Sequence, residues 1–505
     1  MKKFLYSTII LSLALSANAD TMTFYGIGSG GGERTQVTGT SKTTDIILDS
    51  SNGIGYAAND AVVKSIKVIN GAASFANAIG WNANKGITVD INSATGDVDA
   101  ITAGNWVQNL FTLTIKNSVA NSTATANLSF NTLTLSSKNS QNARLIFDGV
   151  NANVTTVNAT NLGDGTTAIN YKSTLSVDAN STVEWNGDII NTVLGVMDIA
   201  GNYTHNSKLT LQSGSQYNAS GTITQNGVFN ANSGANINIT GKHTQKNAVS
   251  WANGANVSIT GEFAIDYENE MKIDSSFDLA GKITQTSISG DNGIKFTKAV
   301  TLLSGSSLQA HSKIFLDKGA SLTVNEGAYI NITKDVSKDP RLILDKSTLT
   351  LNEENCLVNE SIDIGVVTMA GGEDSIKTSK IYLNASQKLR NMYAASFTII
   401  EMYMADDITL TLTLDDQNAL GSGEGIYKIY NFREDSIYVG LNVATNITAN
   451  NYVFLYDAEN NLLGNAFVTN NGYLSLLQTV PEPAEWAMLL GAIALSLAIY
   501  RRRFL

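Results

Sequence analysis

Three histidines, one cysteine and a few clustered carboxylates are the residues with which this chain could do chemistry. His205, His243 and His311 show no spacing that matches a metal motif, and they are expected to be satisfied polar positions on a wall of the protein. Cys356 stands alone, so neither an internal disulfide nor a cysteine-based zinc site can form. The most concentrated charge is Lys334-Asp335-Val336-Ser337-Lys338-Asp339-Pro340-Arg341. If it is extended, alternate residues point opposite ways and few can converge, so a solvated loop is the expectation. Asp406-Asp407 and Asp415-Asp416 could meet a calcium ion but lack the Asp-x-Asp-x-Asp-Gly spacing of a calcium loop. Gly26-Ile27-Gly28-Ser29-Gly30-Gly31-Gly32 lacks the Lys-Ser/Thr end of a phosphate loop and is expected to be a linker. No catalytic residue, metal ligand or cofactor emerges from these spacings.

Composition points to the elements that would carry such groups. Hydrophobic residues make up 43% of the 505 and charged ones only 15%. Asn, Thr, Ser and Gly fill the polar share, which suits strands joined by tight turns better than helices. The formal net charge is −11. Loss of the two termini would remove Lys2, Lys3 and three arginines from 33 basic residues, and Glu482 and Glu485 from 44 acidic ones. That leaves 28 against 42, a net of about −14, a surface that repels nucleic acid and anionic membrane faces.

The middle of the chain repeats. Gly201, Gly221, Gly241, Gly261 and Gly281 recur at intervals of 20, and Gly214, Gly234 and Gly254 keep the same step. Between them run apolar columns. Tyr203, Ile223, Phe263 and Ile283 share one register, with His243 as the polar exception. Leu209, Phe229 and Val249 share a second, and Leu211, Ala231, Trp251 and Met271 a third. Tyr217, Ile237, Val257 and Phe277 form a fourth, and Ala219, Ile239, Ile259 and Leu279 a fifth. Spacing of two within a segment means strands with one face inward, and a period of about 20 means stacked coils. Looser copies lie on both sides, as in Leu133-Thr134-Leu135 and Leu349-Thr350-Leu351. The expected fold is all-β: a right-handed parallel β-helix, or solenoid, of ~20-residue coils. From about Ser375 strands lengthen and gain aromatics, and the stretches 452–456, 462–468 and 473–477 predict a meander. That block would be a C-terminal β cap or a small β domain.

Both ends carry targeting patterns. Lys2 and Lys3 precede an apolar stretch from Phe4 to Leu15, and Ala17 and Ala19 frame an A-x-A cleavage site, so the mature chain is expected to begin at Asp20. At the other end Val480, Pro481, Glu482 and Pro483 lead into an apolar run of 15 residues, 486–500, closed by Arg501, Arg502 and Arg503. As a helix that run covers roughly 22 Å at about 1.5 Å per residue, short of the roughly 30 Å hydrocarbon core. Such a length suits a transient stop, and the arginines would stay cytoplasmic.

This tail resembles the PEP-CTERM sorting signal. The resemblance implies recognition by an exosortase, a membrane protease-transpeptidase, during export to the surface of Gram-negative bacteria that make exopolysaccharide. The repeats resemble the passengers of autotransporter adhesins, although no stretch reads as a membrane barrel of antiparallel strands. The organisation expected is a signal peptide over 1–19, a Gly-rich linker over 20–45, solenoid repeats over 46–372, the C-terminal β region over 373–479, and a sorting signal over 480–505 containing a single hydrophobic helix.

Together these features predict an exported cell-surface or extracellular-matrix protein of structural or adhesin type, not an enzyme. Its expected partners are an exosortase-like membrane protease, exopolysaccharide or further copies of itself, and the membrane through the C-terminal helix before processing; nucleic acid is not among them. The alternatives are a β-helix lyase or hydrolase acting on polysaccharide, and a non-catalytic glycan-binding module. For the last, Trp81, Trp106, Trp185 and Trp251 are the available stacking platforms.

Overall fold

The computed structural model describes residues 20–26, 34–39, 45–57, 61–75, 86–109, 112–136, 142–163, 171–286, 292–333, 340–358, 363–366, 377–394, 398–405, 408, 410–413, 426–430, 452–456, 461–468 and 474–476. They are all-β, with long parallel sheets and no helix. The chain divides into two compact units, Met1–Ile223 and Thr224–Leu505.

In the first unit two sheets grow by parallel addition. One runs from Gly86–Asp90 through Thr112–Lys116, Ala143–Asp148, Ser173–Val177 and Gly195–Ile199 to Gln216–Ala219. The other runs from Asp45–Ala57 through Ser65–Phe75, Val98–Asn109 and Thr125–Ser136 to Asn151–Thr156, Thr182–Asn186 and Asn202–His205. The chain passes from the first sheet to the second at one corner, and the corner changes in length. It takes seven residues at 91–97 and eight at 117–124, then two at 149–150, four at 178–181 and two at 200–201.

Residues 20–45 differ from the linker expected there. Asp20–Gly26 pairs antiparallel with Arg34–Gly39 and also with Asp45–Ala57. Thr21-Met22-Thr23-Phe24-Tyr25 and Thr35-Gln36-Val37-Thr38 hold enough β-branched and aromatic residues to make strands, and the glycine run between them does not prevent it.

In the second unit three parallel sheets recur. One contains Lys242–Gln245, Glu262–Ile265, Lys282–Gln285, Ser307–His311 and Tyr329–Thr333. A second begins with Asn236–Ile239 and Asn256–Ile259 and continues through Phe277–Leu279, Ala299–Leu302, Ser321–Val324 and Thr348–Leu351. A third runs from Met271–Ile273 to Leu410–Thr413. Parallel pairing does not stop at 372. Lys377–Leu383 adds to Thr348–Leu351, and Thr398–Met404, Ile426–Tyr430 and Tyr452–Tyr456 follow in register. Only beyond them does the pairing turn antiparallel, through Leu462–Val468 and Leu474–Leu476.

The apolar columns are the core. Ile237 lies opposite Val257, Ile239 opposite Ile259, and His243 opposite Phe263, in the registers that the 20-residue period predicts. Alternation follows from the pleat: Thr112–Lys116 and Thr182–Asn186 each bury every second residue. The glycine columns have two separate causes. A Cβ on Gly221 or Gly261 would overlap the carbonyl oxygen of Gly201 or Gly241 in the neighbouring coil, so these corners stack too closely for any side chain. Gly254 instead sits at φ 89, a left-handed turn position.

Candidate functional site

The histidines are inside, not on a wall. His243 has no exposed surface and lies between Phe229 and Phe263, with ring centroids 5.6 and 5.3 Å away and planes 28° and 24° apart. Burial is the main reason its pKa falls from 6.5 to about 4, so the ring is neutral, and its Nε2 meets Gln245 Oε1 at 3.2 Å. His205 is equally buried, with Nε2 2.8 Å from the carbonyl oxygen of Gly187. His311 donates its backbone N–H to Gln285 Oε1 at 3.0 Å and places Nδ1 3.2 Å from Thr333 Oγ1. No two of them converge. A stacked aromatic neighbour compensates an imidazole for lost water better than an aliphatic one, which explains a histidine in an apolar column.

Polar residues missed at the sequence level stand beside them. Gln225, Gln245 and Gln285 recur at 20-residue steps and are fully buried. Gln225 and Gln245 donate to the carbonyl oxygen of Gly227 at 3.2 and 3.0 Å, and Gln245 also donates to that of Asn247 at 2.9 Å. Gln225 and Gln245 thereby satisfy turn carbonyls that face inward, whereas Gln285 accepts from the His311 backbone N–H. The recurrence at step five of the repeat was the available signal.

The other sequence candidates separate. Cys356 is buried, which pushes its thiol up to about 12, and its Sγ lies 3.9 Å from Gln387 Oε1; it is inert as a nucleophile. Arg341 is buried at the start of Arg341–Leu344, while 334–339 lie outside the described residues. Also outside them are Gly28, Asp406, Asp407, Asp415, Asp416, Trp81, the cleavage-site residues Ala17 and Ala19, and the tail with Val480, Pro481, Glu482, Pro483, Arg501, Arg502 and Arg503. Asp20 opens the first strand. Trp106, Trp185 and Trp251 have no exposed surface and serve as core, so none can be a glycan platform. Trp251 packs on Phe229 and Phe263 at 5.7 and 5.1 Å. Among the described residues no group of three or more His, Cys, Asp or Glu could hold a metal ion, and no helix is long and apolar enough to cross a membrane.

What the outer faces carry is ladders. In the first unit Asn186 donates to Asn153 at 2.9 Å and Asn206 to Asn186 at 2.7 Å. In the second unit Asn256 donates to Asn236 at 2.9 Å, Asn352 to Asn325 at 2.9 Å and Asn384 to Asn352 at 2.7 Å. Asn186 and Asn352 each use their oxygen and one N–H along the stack, because parallel pairing puts like residues a strand spacing apart. One column of the second unit is aromatic. Tyr382, Tyr403 and Tyr430 stack at 4.8 and 4.6 Å with planes 12° and 6° apart. Beside it Lys380, Glu401 and Lys428 share a register, with Lys380 Nζ 4.0 Å from Glu401 Oε2 and 5.7 Å from the Tyr403 ring. Tyr403 donates its hydroxyl to Glu401 at 3.0 Å. Stacking covers the ring faces, so edges and hydroxyls are what this column offers outward.

These parts define a class: a solenoid-like all-β protein whose outer faces carry ladders of amides and tyrosines beside ion pairs that also run between coils. No protein-family model, curated protein or solved structure matches this chain.

Proposed function

We propose that this is an exported structural or adhesin-type protein of the cell surface or extracellular matrix. In this reading the chain is a right-handed parallel β-helix with coils of about 20 residues and a C-terminal cap. The sequence 1–19 is its signal peptide. Val480, Pro481, Glu482 and Pro483 are a sorting motif read by an exosortase-like membrane protease, with the helix over 486–500 and Arg501, Arg502 and Arg503 holding the tail in the membrane until processing. The mature product then acts by adhesion or assembly within a polysaccharide layer.

The observation that carries the functional part is the outer surface, where Asn and Tyr ladders run from coil to coil while the perturbed titratable groups stay apart, each among its own partners. A repeated flat face suits extended contact with a polymer or with another copy better than turnover at one point. A polysaccharide lyase or hydrolase of this fold would need two carboxylates about 5–10 Å apart across a cleft. Asp90 and Asp317, the carboxyls held below their ordinary range, lend that alternative no support. Asp90 accepts from Ser118 and Asn92, and Asp317 from Lys295 at 2.9 Å and the Lys318 backbone at 2.9 Å.

Mass spectrometry of both termini of the protein from its native host tests the proposal. A product that begins at Asp20 and ends near Pro481 is expected. An intact Arg503-Phe504-Leu505 end on surface-extracted protein overturns sorting by cleavage, and recovery of the untrimmed chain from the cytosol overturns the surface role.

A further inference from the structure

The corner of the first unit that lengthens to eight residues over 117–124 and shortens to two over 149–150 leaves a step, and the step is a cleft of about 370 Å³. Its walls are the long loop, the short turn and the next corner at Asn180. None of the lining side chains is charged and none is aromatic.

The long loop is held rigid. Asp90 has no exposed surface, yet its carboxyl is held below the ordinary range; burial opposes the charge, and hydrogen bonds from the Ser118 hydroxyl and backbone, the charge of Lys116 and the Asn92 N–H outweigh it. Asn117 Nδ2 donates to the Ser93 carbonyl at 2.8 Å and to Ser122 Oγ at 2.7 Å, and Ser122 donates to the Ser93 carbonyl at 2.6 Å. The Thr123 N–H reaches the Ala94 carbonyl at 3.0 Å. The opposite wall is pinned by Asp178, whose Oδ1 accepts from the N–H groups of Gly149 at 3.3 Å and Asn180 at 2.8 Å. Burying a carboxylate is costly, and here its hydrogen bonds hold a loop of which only Ala124 belongs to the core.

Asn117, Ser118 and Ser122 are therefore committed to the wall. The side-chain amides of Asn121, Asn151 and Asn180 are not: they make no hydrogen bond among the described residues and line the cleft. Three amides carried on a held backbone, each offering a carbonyl acceptor and two N–H donors, match adjacent hydroxyl groups. The absence of lining cations, with Asp90 and Asp178 close by, disfavours an anion, and a divalent cation would need carboxylates in the lining. The volume lies at the small end of the range of about 300–1,000 Å³ for ligand pockets, which fits a short saccharide segment and not a folded surface. We propose that this cleft binds a neutral, hydroxyl-rich saccharide segment through Asn121, Asn151 and Asn180. The inference rests on the proposed surface role only for its choice of a saccharide.

Titration calorimetry of the full chain with cellohexaose, maltohexaose and laminarihexaose, and with hexagalacturonate as the anionic counterpart, tests it. At least one neutral hexasaccharide is expected to bind, and the triple substitution Asn121→Ala, Asn151→Ala, Asn180→Ala is expected to weaken it about tenfold or more, since each lost bond contributes about 0.5–1.5 kcal/mol. The thermal midpoint of that variant stays unchanged, because these amides hold nothing else. Binding of no neutral hexasaccharide, tighter binding of hexagalacturonate, or full binding by the triple variant each overturns the proposal. None of these results bears on the cleaved termini, so a failure here is distinguishable from a failure of the surface reading.

Discussion

The coils over 236–285 in the second unit and the long corner over 117–124 in the first are built from the same parallel pairing, and they use it in opposite ways. In the former the inward columns and the corner glycines repeat a constraint set by the coil beside them. Gly261 leaves room for the carbonyl of Gly241, Phe263 covers His243, and Asn256 continues from Asn236. Inward positions there are filled by the columns, while outward ones vary in type, as Lys242, Glu262 and Lys282 do in one register. At the long corner the copy fails. Eight residues stand where a neighbouring coil uses two, and the surplus becomes a rigid wall beside a cleft. Regular stacking supplies stability, and departure from it supplies a place to bind.

The largest effects are expected in the interior of the regular coils. Ile237 and Ile239 are buried in the second unit, and replacing both by Asp places two carboxylates in its core. Loss of more than about 5 kcal/mol, or failure to fold, is expected in denaturant unfolding. An unchanged midpoint would mean that these columns are not an interior. Trp251→Ala should cost about 3–5 kcal/mol, because the neighbouring rings of Phe229 and Phe263 cannot close the cavity completely.

Acid should separate the regions further. His243 titrates at about 4 when folded and at 6.5 when free, so the unfolded chain takes up the proton first. Its contribution is complete above pH 6.5, declines as pH falls and is spent near pH 4, a loss of about 3 kcal/mol. Measured unfolding free energies for the parent and His243→Phe should differ in slope across that window and run parallel above it. Gly261→Ala, which forces a Cβ against the Gly241 carbonyl, should cost about 1–3 kcal/mol in thermal unfolding. Asn256→Ala removes one rung of an exposed ladder and should change stability by about 0.5 kcal/mol or less. If that rung proves as costly as the glycine, the outer ladders are structural and the contrast between filled interior and free surface weakens.

Legibility varied with the exactness of the period. Columns such as Ile239, Ile259 and Leu279 could be read because apolar residues recur every 20 positions and parallel pairing preserves that step in space. Gln225, Gln245 and Gln285 recur as faithfully, but a polar residue suggests an outer face, and only the inward carbonyl of Gly227 explains why two of them turn in. The tryptophans misled for the opposite reason: a large aromatic in a polar sequence could be a platform or a core, and burial decides. Tyr382, Tyr403 and Tyr430 are separated by unequal steps of 21 and 27 residues, so no periodic pattern reveals that they stack.

By itself the sequence determined the strand content, the parallel stacking of 20-residue coils and the inward columns, because alternation and period are properties of neighbouring residues along the chain. The tertiary structure alone decided which polar groups are enclosed, which tyrosines meet and where a cleft opens. Those outcomes depend on the length of each corner relative to the corner in the next coil, a quantity that no single stretch of sequence contains.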